Sequence, residues 1–150
     1  MEVGVYKVIV VGTDGSERAA VAVGEALALA QATGAKVHGV HVMRPLLMTG
    51  TELDAAAVEV TNATMHDEAD RIGTEFLAEA ERSGVSAELS SFDGDPADAI
   101  IKVAEAVHAD LIVVGNRGMA GVRRFVLGSV PNKVAHHCPC SLLIVDTDRG

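Results

Sequence analysis

The sequence is poor in aromatic side chains: of its 150 residues three are Phe, one is Tyr and none is Trp. So few rings offer little on which successive bases could stack, which argues against a platform for single-stranded nucleic acid. Cations are also in the minority. Twelve Lys and Arg stand against 21 Asp and Glu, and the formal net charge of −9 opposes non-specific binding to nucleic acid or anionic lipid. Long apolar runs are missing too. The best, Ala19 to Ala30, is broken by Gly24 and Glu25 and falls short of the roughly 20 residues a bilayer span requires. The opening Met1-Glu2-Val3-Gly4-Val5 has neither the basic nor the apolar region of a secretory signal, so a cytoplasmic address is expected. Cysteine is limited to Cys138 and Cys140, too close together for an ordinary structural disulfide, and reduced thiols are expected.

What is present suits a chain that buries a core. Hydrophobic residues make up 49% and mean hydropathy is +0.28, which predicts a single folded domain over 1–150. The acidic average conceals an asymmetry. No Asp or Glu occurs from Leu111 through Val145, while Arg117, Arg123, Arg124 and Lys133 give that stretch a charge of +4 and leave −13 for the remainder. An anionic ligand is one reason for such a bias; a solvated basic surface is the other.

Short β-branched runs alternate with segments of helical spacing, the pattern of an α/β sheet. Strands are predicted at Lys7–Val11, Val37–Val42, Ala87–Phe92, Leu111–Val114 and Leu142–Val145. Between them the spacing predicts helices over about Glu17–Thr33, Ala63–Arg82, a third opening at Asp95-Pro96, and a short one over Val130–His137. Met43 to Asn62, with Pro45 and Gly50, reads as a long surface connection. The third strand is polar enough for an edge, and the fourth is apolar throughout, as a central strand would be. Strands separated by helices run parallel, giving an open five-stranded sheet with helices on both faces and the probable order 3-2-1-4-5.

In such sheets ligands sit beyond the carboxyl ends of strands where the order reverses. Two of those ends carry turn-formers: Gly12-Thr13-Asp14-Gly15-Ser16 after the first strand, and a segment containing Gly115, Gly118 and Gly121 after the fourth. Glycines there let main-chain amides approach a ligand closely. Gly128-Ser129 then precedes the short helix, whose first-turn amides suit a phosphate; Ser129 would serve equally as a helix cap. Neither a Walker A lysine nor a G-x-G-x-x-G opening is present, so P-loop and dinucleotide sites are excluded.

The spacing Gly115-x2-Gly118-x9-Gly128-Ser129 resembles the G-x2-G-x9-G-[S/T] pattern of the ATP-binding branch of the universal stress protein family. The similarity extends to Val10-Val11-Gly12-Thr13-Asp14-Gly15-Ser16, to His41-Val42, to Ala109 through Gly115, to Leu127 through Val130, and to Cys138-Pro139 before the last strand. It implies an adenine nucleotide alpha hydrolase-like fold and an ATP-binding homodimer acting in stress adaptation or signalling. It further implies Gly12, Thr13 and Asp14 at the nucleotide, backbone at Val42 for adenine, Gly115 and Gly118 along ribose and phosphates, and Gly128, Ser129 and Val130 for the phosphates. Arg117, between the first two glycines, is a candidate phosphate contact.

A carboxylate at Asp14 would repel a triphosphate unless it accepts from a ribose hydroxyl or holds a divalent cation such as Mg2+. It is also placed to cap the first helix, with Glu17 three residues on. His136-His137-Cys138-Pro139-Cys140 matches no usual zinc spacing; exposed histidines at a helix end and buried thiols explain it better. No general base stands beside a nucleophile in sequence, so ATP hydrolysis is expected to be slow or absent. A metal-assisted nucleotide or phosphate-ester hydrolase using Asp14, and an AMP or cyclic AMP binder, are the alternatives. An apolar fifth strand at the sheet edge predicts pairing with a second copy.

Overall fold

The computed structural model describes residues 5–43, 55–117 and 127–148. Its elements alternate as the sequence predicts: β1 (Val8–Thr13), α1 (Glu17–Thr33), β2 (Lys36–Met43), α2 (Ala55–Arg82), β3 (Ala87–Asp93), α3 (Pro96–Ala106), β4 (Leu111–Gly115), α4 (Ser129–His137) and β5 (Ser141–Val145). They form an all-parallel five-stranded sheet of order β3-β2-β1-β4-β5. Ile9 pairs with Val37 on one side and Leu111 on the other, so β1 is fully flanked.

Alternation along the strands divides the core in two. Ile9, Val11, Val37, Leu111 and Val113 face α1 and α2, where they meet Leu27 and Phe76. Val10, Val40, Ile112 and Val114 face α3 and α4, where they meet Ile100 and Val134. All four β4 residues from Leu111 to Val114 are buried, as expected for an interior strand apolar on both faces.

Local chemistry sets the helix ends. Ser16 caps α1 by accepting from the Ala19 amide, and Gly34 ends it at φ 77° with its amide donating to the Ala30 carbonyl. Asp95 caps α3 ahead of Pro96. Three expectations need correction. Helix α2 starts at Ala55, eight residues before the predicted Ala63, because Ala55, Ala56 and Ala57 favour helix while the first buried side chain is Ala69. Its opening turns therefore have no apolar periodicity to read. The α1 cap is Ser16, not Asp14. The third helix, whose spacing predicts a core face of Ala97, Ile100, Ile101, Ala104 and Val107, buries only Ala97, Ile100 and Ala104, with Ile101 and the C-cap residue Val107 partly buried.

Candidate functional site

A cleft of about 180 Å³ opens at the C-terminal ends of β1 and β4, the point where strand order reverses. Nine of the ten sequence-predicted site residues line it: Gly12, Thr13, Asp14, Val42, Gly115, Arg117, Gly128, Ser129 and Val130. The tenth, Gly118, lies outside the described residues, as do Gly121, Arg123 and Arg124. Residues three strands and a hundred positions apart are thus brought to one place by the parallel register.

The β1 side is built from acceptors. Thr13 Oγ1 accepts from the Gly15 amide at 3.1 Å, Asp14 Oδ1 from the Ser16 amide at 2.9 Å, and Ser16 Oγ from the Ala19 amide at 3.1 Å. The amides of Gly15, Ser16 and Ala19 are thus each taken by a side chain two or three residues back. What remains toward the cleft is carboxylate and hydroxyl oxygen. The α4 side is the reverse. Its N-cap is Gly128, which has no side chain to cap with, and Ser129 is the first helical residue. The expectation that Ser129 caps this helix is therefore corrected. First-turn amides of a helix have no acceptor within it, and the dipole there is positive.

Two of the glycines are crowded by the protein's own packing. A Cβ on Gly12 would stand 2.6 Å from Ile100 Cδ1, and one on Gly115 would stand 2.8 Å from Thr147 Cγ2. Gly128 differs: an added Cβ would find nothing closer than 3.5 Å, and its φ of −63° suits any residue. Among the described residues nothing demands glycine there.

Sequence reasoning missed the apolar floor. Val40, Ile100 and Val114 line the cleft between the two polar sides. Val40 was legible, two residues before Val42 and so on the same strand face. It also missed Asn116, whose Oδ1 accepts from the Thr147 amide at 3.1 Å and hydroxyl at 2.8 Å, and whose carbonyl accepts from the Gly128 amide at 2.9 Å. Its side chain ties the ends of β4 and β5 together, and its main-chain carbonyl positions the start of α4.

The basic stretch is less bare than its composition suggests. Arg117, with a side chain 10% exposed, forms an ion pair with Asp148, and Lys133 bridges to Asp98 at 2.9 Å and Asp95 at 3.4 Å. Acids from outside the stretch reach both of its described cations. Beside Thr13 in the sheet lies His41, which is 6% exposed, its Nδ1 3.2 Å from Ser91 Oγ. Burial holds its pKa below the ordinary 6.5, against the opposing charges of Glu68 and Asp14. The two thiols pack against the α3–α4 core, and burial pushes Cys140 up to about 11, so it stays protonated at neutral pH.

Comparison with known proteins agrees with this architecture. The profile of the universal stress protein family matches residues 5–146. A universal stress protein of Thermus aquaticus is 35% identical over 141 residues, spanning 93% of this chain and 98% of the relative. The structure of a universal stress protein in complex with cAMP superposes with a TM-score of 0.73 at 33% identity, covering 95% of this chain and 99% of the other. That of a universal stress protein from Archaeoglobus fulgidus in complex with dAMP gives a TM-score of 0.65 at 25% identity, covering 95% and 99%.

Proposed function

Since the chain belongs to the universal stress protein family, we propose that it binds ATP, alone or with Mg2+, in the β1–β4 cleft and acts as a nucleotide-dependent stress or signalling module in the cytoplasm. The observation that carries this reading is the polarity of the cleft: acceptors on one side, helix-start amides on the other, and an apolar floor between them. A nucleoside phosphate has matching polarity, with hydroxyl donors on the ribose, acceptors on the phosphates, and a flat apolar base.

In this reading Asp14 accepts from ribose hydroxyls or holds the cation, with Gly12 and Thr13 beside it. The base lies over Val40 and against the backbone of Val42. The phosphates run past Gly115, Arg117 and Gly118 to the amides of Ser129 and Val130, and Gly128 gives them room. The cAMP and dAMP bound by two relatives support an adenylate as the ligand class, and the cAMP complex gives a specific reason to test cyclic and monophosphate forms beside ATP.

Titration calorimetry with ATP, AMP and cAMP tests the reading. Saturable binding is expected, and Asp14→Ala is expected to weaken it about tenfold through loss of a charge-assisted hydrogen bond. Absence of saturable heat with all three nucleotides would overturn it.

We further propose a homodimer through β5. That edge strand carries Leu142, Leu143 and Ile144 only partly buried, with one flank paired to β4 and the other open among the described residues. Sedimentation equilibrium should give twice the chain mass of 15.5 kDa; a single 15.5 kDa species at micromolar concentration would count against it.

A further inference from the structure

The turn after β5 is fixed by side chains. Thr147 is buried, hydrogen-bonded through its amide and hydroxyl to Asn116, with its methyl over Gly115. Asp146 Oδ1 then accepts from the Asp148 amide at 3.0 Å. This arrangement holds the Asp148 carboxylate between two guanidiniums, that of Arg18 in the first turn of α1 at 2.9 Å and that of Arg117 in the cleft lining. Asp148 is 39% exposed and Arg18 34%, so the shared carboxylate sits at the protein surface while Arg117 is mostly covered.

We infer that Asp148 is a resident anion at the cleft, competing with the ligand's phosphates for Arg117, and so determines how strongly the site discriminates among adenine nucleotides by phosphate charge. This rests on the adenylate reading above. With its carboxylate in place the Arg18, Asp148 and Arg117 group carries one net positive charge; without it, two. Each added phosphoryl group brings further negative charge toward Arg117 and must share that guanidinium with Asp148 or displace it. Displacement is feasible because the Asp148 carboxylate is at the surface, where water can take up what Arg117 gives up, and because Arg18 still holds the released carboxylate. The penalty from Asp148 therefore grows with phosphate number and vanishes for the nucleoside.

Asp148→Asn tests this with little change in shape, since the amide oxygen still accepts from either guanidinium while the charge is gone. Wild type and variant are titrated with adenosine, AMP, ADP and ATP at low and high salt. Adenosine is expected to bind both alike. ATP is expected to bind the variant about fivefold tighter or more, AMP to gain less, and the gain to shrink as salt screens it. Asp148→Ser is a second neutral variant and should give the same graded gain, whereas Asp148→Glu, which keeps the charge, should not. A change equal across the series, adenosine included, or ATP affinity unchanged or weaker in the neutral variants, overturns the inference and leaves the adenylate reading intact. If neither wild type nor neutral variant binds ATP, the adenylate reading itself falls.

Discussion

The two sides of the cleft are made from the same kinds of residue and end in opposite states. The Thr13 to Ser16 loop closes on itself, each side-chain oxygen taking an amide of its own loop or helix start. The Gly128 to Val130 corner has no side-chain cap. A loop whose side chains cap three of its own amides holds its shape without a ligand. A helix start left with a glycine cap, and with no packing reason for that glycine among the described residues, leaves its amides to water or an anion. In the proposed reading the first side, already folded on itself, offers oxygens to the ribose or a cation while the second offers helix-start amides to phosphate, and substitutions can separate the two.

The largest effect should come from giving the second side what the first already has. In Gly128→Asp the new carboxylate stands at an N-cap with extended backbone, φ −63° and ψ 166°, and its Cβ meets only ordinary contacts. It should cap α4 and raise stability by about 0.5 kcal/mol in urea denaturation. The same carboxylate occupies the amides and repels phosphate, so nucleotide affinity measured by calorimetry should fall about 100-fold or more. Stability and binding moving in opposite directions is the signature of a helix start kept open for a ligand. Binding at wild-type strength would break the comparison.

Gly115→Ala should show the contrary pattern. Its Cβ would lie 2.8 Å from the methyl of buried Thr147, and relief requires moving a residue whose amide and hydroxyl both donate to Asn116 Oδ1. A stability loss of about 1–3 kcal/mol is expected from this overpacking, read from the urea midpoint. If Gly115→Ala were as stable as wild type, the glycines at 115 and 128 would have the same explanation, and the distinction between them would fail.

Much of this was legible before any coordinates. Parallel strands and helices on both faces follow from β-branched runs alternating with helical spacing, and β4 was identifiable because all four of its residues from Leu111 to Val114 are apolar. The cleft was legible because strand order places the ends of β1 and β4 together. Contacts between residues far apart in sequence were not. Asn116 follows Gly115 with nothing in the local sequence to mark it, yet it holds Thr147 31 residues away. Arg117 and Lys133 looked like free positive charge, while their partners Asp148, Asp95 and Asp98 lie outside the acid-free stretch that drew attention to them. The start of α2 was missed for a different reason: residues 55–68 bury no side chain, so no periodic signal marks them.

The smallest effect concerns pH, and it too divides the two sides. His41 pairs with Thr13 across the β1–β2 ladder, behind the acceptor side, where burial keeps it neutral more firmly than in the unfolded chain. The unfolded chain takes up a proton near the ordinary value of 6.5 while the folded protein resists until lower pH, so stability is full above that value and declines as pH falls below it. Glu68 and Asp14 pull the other way and keep the decline modest. His38, also held low by burial, contributes with the same sign. Urea midpoints from about pH 7.5 to about pH 5.5 should therefore fall for wild type and fall less for His41→Gln, with the difference between the two slopes belonging to His41. The donor side has no side chain that titrates in this range at Gly128, Ser129 or Val130, so its hold on phosphate should change only as the phosphate itself is protonated. A nucleotide affinity that followed the His41 titration, and lost that dependence in His41→Gln, would mean the acceptor side governs binding as well as stability.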